Sequence, residues 1–162
     1  MTDTIAIRPY RESDEPAIVE LVRELQGHEA QLYDRMLPVG DIGPWYVQRI
    51  AQESARAGGG LIVAERSGRP IGYASLFTRL GSEEAYDEVP YTYAYVGDLV
   101  VSASARRQGV ATLLLQECER QARRAGQRWL RITVIAANSD AHRLYQTLGF
   151  QNQFVHLEKS LA

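Results

Sequence analysis

Apolar positions change their spacing several times along this chain, and each change marks an element. Thr4 to Arg8 alternates apolar and polar residues, the two-residue period of a half-buried strand. Ile18, Leu21, Val22 and Leu25 then recur at helical spacing, so a helix with one buried face is predicted. Asp14 stands where a side chain could cap that helix, Pro16 fits its first turn, and Gly27 falls where it should stop. His28 to Asp41 is a mixed polar and aromatic stretch without a period. A second helix is predicted from Trp45 to Ala57, ended by Gly58-Gly59-Gly60. Leu61–Glu65 and Ile71–Phe77 read as two strands around the turn Ser67-Gly68-Arg69-Pro70.

The second half alternates strands and helices. Past an acidic loop, Gly81 to Glu88, a long strand runs from Tyr91 to Val101. Counting by twos puts Tyr91, Tyr93, Tyr95, Gly97, Leu99 and Val101 on one side of it, with Asp98 on the other. A helix from Gln108 to Ala125 ends at Gly126, and Trp129–Val134 is a further strand. A helix from Asn138 to Leu148 is closed by Gly149, and Phe150–Leu157 reads as a last strand. This order predicts a mixed sheet with helices packed on it, and the 162 residues suit one domain with a sizeable core.

Composition narrows the function classes. The net charge of −2 argues against a general affinity for nucleic acid, and Arg120, Arg123, Arg124 and Arg128 read as a solvated helix face. Lys159 is the only lysine among 18 basic residues. The lone Cys118 excludes an internal disulfide and sits in a helical pattern as a small core residue. Met1 to Ile5 shows no signal-peptide pattern and no apolar run reaches membrane-spanning length, so a cytoplasmic protein is expected. His28, His142 and His156 lack metal-ligand spacing, and no metal is expected.

Two motifs carry chemistry. Arg106-Arg107-Gln108-Gly109-Val110-Ala111 follows the apolar run Leu99-Val100-Val101 and opens a helical pattern. Amides in a helix's first turn have no partner inside it, and the aligned dipoles make that end positive. A small residue there lets an anion reach the backbone, so the segment suits a pyrophosphate. Neither the ATP-type phosphate loop nor the dinucleotide fingerprint is present. Some thirty residues on, Asn138-Ser139-Asp140-Ala141 opens the last helix, and Leu144-Tyr145 with Gly149-Phe150 closes it. Ala141, Leu144, Tyr145 and Leu148 share one helical face, on which small Ala141 leaves room and Tyr145 places a phenol one turn away.

Together these segments resemble the GNAT superfamily of acetyl-CoA-dependent N-acetyltransferases, strongly from Ala94 to Phe150. The second glycine of that family's phosphate loop is replaced by Ala111. The resemblance implies an α+β fold: a central mixed, mostly antiparallel sheet of about six to seven strands, about four flanking helices, and two middle strands that splay apart. It implies that Arg106 and the amides of Arg107, Gln108, Gly109, Val110, Ala111 and Thr112 hold the coenzyme pyrophosphate. The pantetheine arm would lie along Leu99, Val100 and Val101, with Leu99 and Val101 giving main-chain hydrogen bonds. Asn138 and Ala141 would flank it, Leu99 would support the thioester carbonyl, and Tyr145 would protonate the departing thiolate. An amine would then attack acetyl-CoA directly, which agrees with the lack of a Ser/His/Asp or Cys/His arrangement.

The acceptor is less legible. Glu29, Asp34, Asp41, Glu83, Glu84, Asp87 and Glu88, beside Tyr33, Tyr86 and Tyr91, lie in segments that border the substrate entrance in that family. Of these Glu29, Tyr33, Glu83 and Tyr91 are the candidate substrate contacts. Such an entrance would attract a small cationic amine. Glu29, Asp98, Glu83, Glu84, Asp87, Glu88 and a water relay all stand open as the base. Gly97 to Leu114 is also similar to aminoglycoside N-acetyltransferases, but that stretch is the coenzyme site. A protein or peptide N-acetyltransferase and a non-catalytic acyl-CoA sensor of the same fold are the alternatives. A homodimer is frequent in the family, and nothing in the sequence specifies its interface.

Overall fold

The computed structural model describes residues 4–82 and 86–162. Among them are β1 (Ala6–Pro9), α1 (Glu15–Glu29), α2 (Pro44–Arg56), β2 (Gly60–Arg66), β3 (Arg69–Gly81), β4 (Thr92–Val101), α3 (Val110–Arg124), β5 (Leu130–Ile132) and α4 (Ser139–Thr147). The strands form one sheet in the order β1-β2-β3-β4-β5. The first three pairings are antiparallel and β4 pairs with β5 in parallel. No helix among the described residues is long and apolar enough to cross a membrane.

Helices cover both faces of the sheet. On one, α3 sets Val110, Leu114, Leu115 and Cys118 against Ile62, Ala74, Leu76, Ala94 and Val96, with Tyr145 of α4 in the same cluster. On the other, Ile18 and Val22 of α1 and Val47 of α2 pack on Val63, Tyr73 and Val100. Cys118 is fully buried, and desolvation pushes its thiol up to about 12, so it is a core residue and not a nucleophile.

Three local expectations are corrected. Helix α1 runs through Gly27 to Glu29. The buried Gln26 amide donates to the Leu37 carbonyl at 2.7 Å and holds the last turn, which offsets the ~1 kcal/mol a helical glycine costs. Asp14 occupies the N-cap position of α1 as expected, but its carboxylate makes no cap hydrogen bond to that helix. Its oxygens instead accept from the Arg8 guanidinium at 2.7 and 2.9 Å and from the Arg11 amide at 2.8 Å. Finally, Phe150–Leu157 is not a strand, so the sheet has five strands among the described residues. The Phe150 amide closes α4 on the Tyr145 carbonyl, and its ring packs on Tyr145 at 5.9 Å. Phe154, Val155 and Leu157, beyond it, stay exposed.

The Arg8–Asp14 pair makes a stability prediction. The side chains are only 13% and 6% exposed, and Arg8 also pairs with Glu65. The guanidinium holds the Asp14 carboxyl below the usual carboxylate range. A group with a depressed pKa stabilises the fold above its unfolded value, about 3.9, and loses that contribution as pH falls through the folded value. Asp14→Asn should therefore cost about 2–3 kcal/mol at pH 7 in urea denaturation, with the deficit closing below about pH 3. A pH-independent deficit would show that the amide fails for steric reasons alone.

The register of β3 on β4 contains the feature that positions the site. Ala74 pairs with Leu99 and Leu76 with Val96. Two steps along β3 thus match three along β4, so β4 carries an extra residue at Gly97-Asp98, a β-bulge. Ala94 and Val96 before the bulge and Leu99 and Val101 after it all face the α3 core, while Val100 faces α1 and α2. Unbroken alternation from Tyr91 to Val101 is therefore wrong, because the bulge exchanges the faces. Ser75 satisfies the amide that the bulge frees, accepting from Asp98 N–H at 2.7 Å. Gly97 makes room: a Cβ there would meet Ser75 Oγ at 2.8 Å and the Phe77 ring at 3.1 Å.

Candidate active site

Hydrogen-bond parity in β4 decides which main-chain groups are free. The Ser102 amide donates to the Ile71 carbonyl, so in an antiparallel ladder the bonded pairs are Ile71/Ser102 and Tyr73/Val100. Leu99 and Val101, on either side of Val100, turn their N–H and C=O groups to the opposite edge, toward β5, and the Val101 carbonyl accepts from Arg106. Pairing with β5 ends there, its last rung being Val96 with Ile132. Past that rung the middle strands part, and the edge of Leu99 and Val101 faces the gap. Val100 offers the gap nothing: its main chain serves β3 and its side chain is buried.

A cavity of about 370 Å³ fills this fork. Its walls are Gly97, Asp98 and Leu99 of β4, Ile132 to Ile135 of and after β5, Asn138, Ala141 and Tyr145 at α4, and Glu29, Tyr46 and Trp45 from the helices opposite. Leu99, Asn138, Ala141, Tyr145 and Glu29, five of the residues singled out by sequence, are thus brought to one place. Asn138 is also the N-cap of α4, its Oδ1 accepting from the Ala141 amide at 3.3 Å. Tyr145 is 8% exposed, and burial and then the negative charge of Glu29 push its hydroxyl up to about 12. It holds its proton at neutral pH and is a donor.

The loop Arg106–Gly109 is exposed and lies outside the cavity walls, at the start of α3. Arg107 (φ 62°) and Gly109 (φ 80°) both adopt the left-handed conformation. Gly109 is the N-cap position and no side chain caps the helix, so the amides of Val110, Ala111 and Thr112 are not claimed by a side-chain cap. Left-handed residues of this kind turn successive amides toward one side, which suits an anion with several oxygens. Strain of about 1–3 kcal/mol at a non-glycine such as Arg107 is typical of ligand clamps. The Arg106 side chain turns back, donating to the Val101 carbonyl at 3.2 Å with Glu24 3.8 Å away.

Other candidates stand apart. Tyr33 stacks under Arg35, itself a cavity-wall residue, at 4.5 Å. Tyr91 packs on Tyr93 and bonds Arg131, away from the cavity. Glu83 and Glu84 lie outside the described residues. The sequence did not reveal Tyr46 and Tyr73, whose hydroxyls donate to Asp98 at 3.1 and 2.8 Å. Long-range pairs across 52 and 25 positions leave no local signal. Among the described residues no group of three or more His, Cys, Asp or Glu is gathered as a metal would need.

Known proteins share this fold. The model of the acetyltransferase (GNAT) family matches residues 21–150. A 59-residue stretch is 41% identical to GCN5-related N-acetyltransferase 6, chloroplastic, of Arabidopsis thaliana, covering 36% of this chain and 20% of that protein. A mutant of the BH1408 protein from Bacillus halodurans has a TM-score of 0.85 at 17% identity, over 97% of this chain and 99% of that one. An acetyltransferase of Trypanosoma brucei reaches 0.67 at 22% identity, over 98% and 100%. Aminoglycoside N-acetyltransferase AAC(6')-Iy in complex with CoA reaches 0.69 at 20% identity, over 100% and 98%. These structural likenesses are likenesses of fold. The family match spans the parted strands, the Arg106–Gly109 loop and the Tyr145 helix alike, and the chain belongs to the GNAT acetyltransferase family.

Proposed function

We propose that this protein transfers the acetyl group of acetyl-CoA directly to a primary amine of a small molecule. One observation carries the reading: the unpaired edge of β4, Asn138, Ala141 and Tyr145 line a single cavity in the strand fork. Acetyl-CoA would supply the activated thioester. The residues present fit it, since first-turn amides of α3 suit a pyrophosphate and the Leu99 main chain with the Val101 amide suits an amide-bearing arm.

Each residue then has a role. The amides from Arg107 to Thr112 hold the pyrophosphate and set the depth of the arm. Leu99 N–H, aimed into the gap, stabilises the charge that develops on the carbonyl oxygen. One such donor is worth about 10²–10³ in rate in other acyl-transfer enzymes. Tyr145 donates its proton to the departing thiolate. Holding amine and thioester together contributes most of what remains. Cys118 lies in the core, so no thiol competes as a nucleophile.

A primary-amine acceptor is supported by the relatives in their own right. Related structures include an aminoglycoside acetyltransferase with sisomicin and AAC(6')-Iy with a CoA–acetylneamine bisubstrate analogue. A panel of amines and alcohols, followed by thiol release and by mass spectrometry of the product, tests the reading. Primary amines should gain one acetyl group and alcohols none. Coenzyme binding with no turnover on any amine would make the chain a sensor instead.

A further inference from the structure

Two carboxylates share the wall of the cavity facing Tyr145. Asp98 is 8% exposed and fully engaged: Tyr73 donates to it at 2.8 Å, Tyr46 at 3.1 and 3.2 Å, and its amide is held by Ser75. Burial raises its proton affinity, the two hydroxyls favour its ionised form, and it lies in the cavity wall. Glu29 is partly buried and lines the same cavity. It is also the last residue of α1, where the helix dipole is negative and favours a cation. The groups around it are Asp98 of β4, Tyr46 of α2, Tyr73 of β3, Tyr145 of α4 and its neighbour His28. Arg35, on the cavity wall, is committed to Glu158 at 2.5 Å. Burial and the charge of Asp98 both raise the proton affinity of Glu29.

Two carboxylates and a helix C-terminus in one half-buried cavity favour a bound cation. We propose that Glu29 receives the acceptor as an ammonium and takes its proton, so that the acceptor class is a cationic amine. The inference rests on the acetyl-transfer reading above. The balance is closed. R–NH3+ gives one proton to the Glu29 carboxylate and becomes R–NH2. Its lone pair forms the C–N bond as the C–S bond breaks. Tyr145 O–H gives its proton to sulfur and regains the second proton that nitrogen loses. Glu29 releases its proton to solvent, one per turnover. Asp98 acts through Glu29 and is a positioning charge.

Titration calorimetry of 1,4-diaminobutane into the CoA-bound protein tests this, together with pH profiles of kcat/KM for the same diamine. Glu29 must be ionised to act, so the wild-type profile should rise with pH through a value above the ordinary carboxylate range. Glu29→Gln should weaken diamine binding at least tenfold and lower kcat/KM at pH 7 about thirtyfold, with CoA affinity unchanged. Its deficit should shrink as pH approaches the pKa of the free amine, and Glu29→Asp should recover part of the activity. Wild-type diamine affinity and an unaltered profile in Glu29→Gln would overturn the proposal, as would wild-type protein that binds no diamine. Diamine binding that depends on Glu29 without thiol release from any amine would keep the cation site and sink the acetyl-transfer reading instead.

Discussion

Replacing Tyr145 with phenylalanine should lower kcat about a hundredfold and leave the affinity for coenzyme A within about twofold. The ring is what the fold uses. It sits among buried residues of the α3 face and packs edge-on against Phe150, contacts that phenylalanine keeps. What the substitution removes is a hydroxyl that stays protonated across the assay range, being pushed up to about 12. A thiolate leaving without a proton is the costly event, and a placed acid contributes about 10²–10⁴ to such steps. Kinetics by thiol release and calorimetry with coenzyme A separate the two effects. An unchanged kcat would reduce Tyr145 to a core aromatic and move the acid to solvent. A loss of coenzyme affinity equal to the loss of rate would show that the hydroxyl shapes the site and does not act in the chemical step.

Much of this site was legible because its parts are local. An asparagine opening a short helix is a choice that neighbouring residues enforce, so Asn138 could be read directly, whereas Gly109, read inside a first turn that began at Gln108, stands just before α3 in the left-handed conformation. The helix α4 face of Ala141, Leu144, Tyr145 and Leu148 follows from period alone and packs as read. What could not be read depends on partners far along the chain. The bulge at Gly97-Asp98 appears only when β4 is laid against β3, since its own burial still alternates. Counting by twos therefore placed Leu99 correctly relative to Val101 but wrongly relative to Tyr93 and Tyr95. The left-handed Arg107 carries no signal either, because arginine has no preference for that conformation. Helix α1 outlasting Gly27 is a tertiary override: Gln26 anchors to Leu37, and that anchor carries Glu29 to the cavity. The missing last strand has the same origin, since Phe150 is taken up by α4 and leaves the residues after it without a core.

Valine at Gly109 should raise the dissociation constant for coenzyme A about thirtyfold to a hundredfold. Space is not the reason, for a Cβ there would meet nothing within 4 Å. Conformation is: φ is +80°, a region that a β-branched residue enters only with strain of about 1–3 kcal/mol. The loop can relieve that strain by turning the residue, and the amides of Val110 to Thr112 turn with it. Since about 1.4 kcal/mol is tenfold in affinity, misdirecting amides that hold a doubly charged group gives the stated range. Gly126 supplies the control, with φ +76° and equally open space at the far end of the same helix. Gly126→Val should lose comparable stability in urea denaturation and bind coenzyme A normally. Acetylpantetheine, which lacks the pyrophosphate, sharpens the test: wild type and Gly109→Val should use it equally poorly. Undiminished coenzyme A affinity in Gly109→Val would mean that the start of α3 does not hold the pyrophosphate, and the arm would then need another anchor to reach the gap beside Leu99.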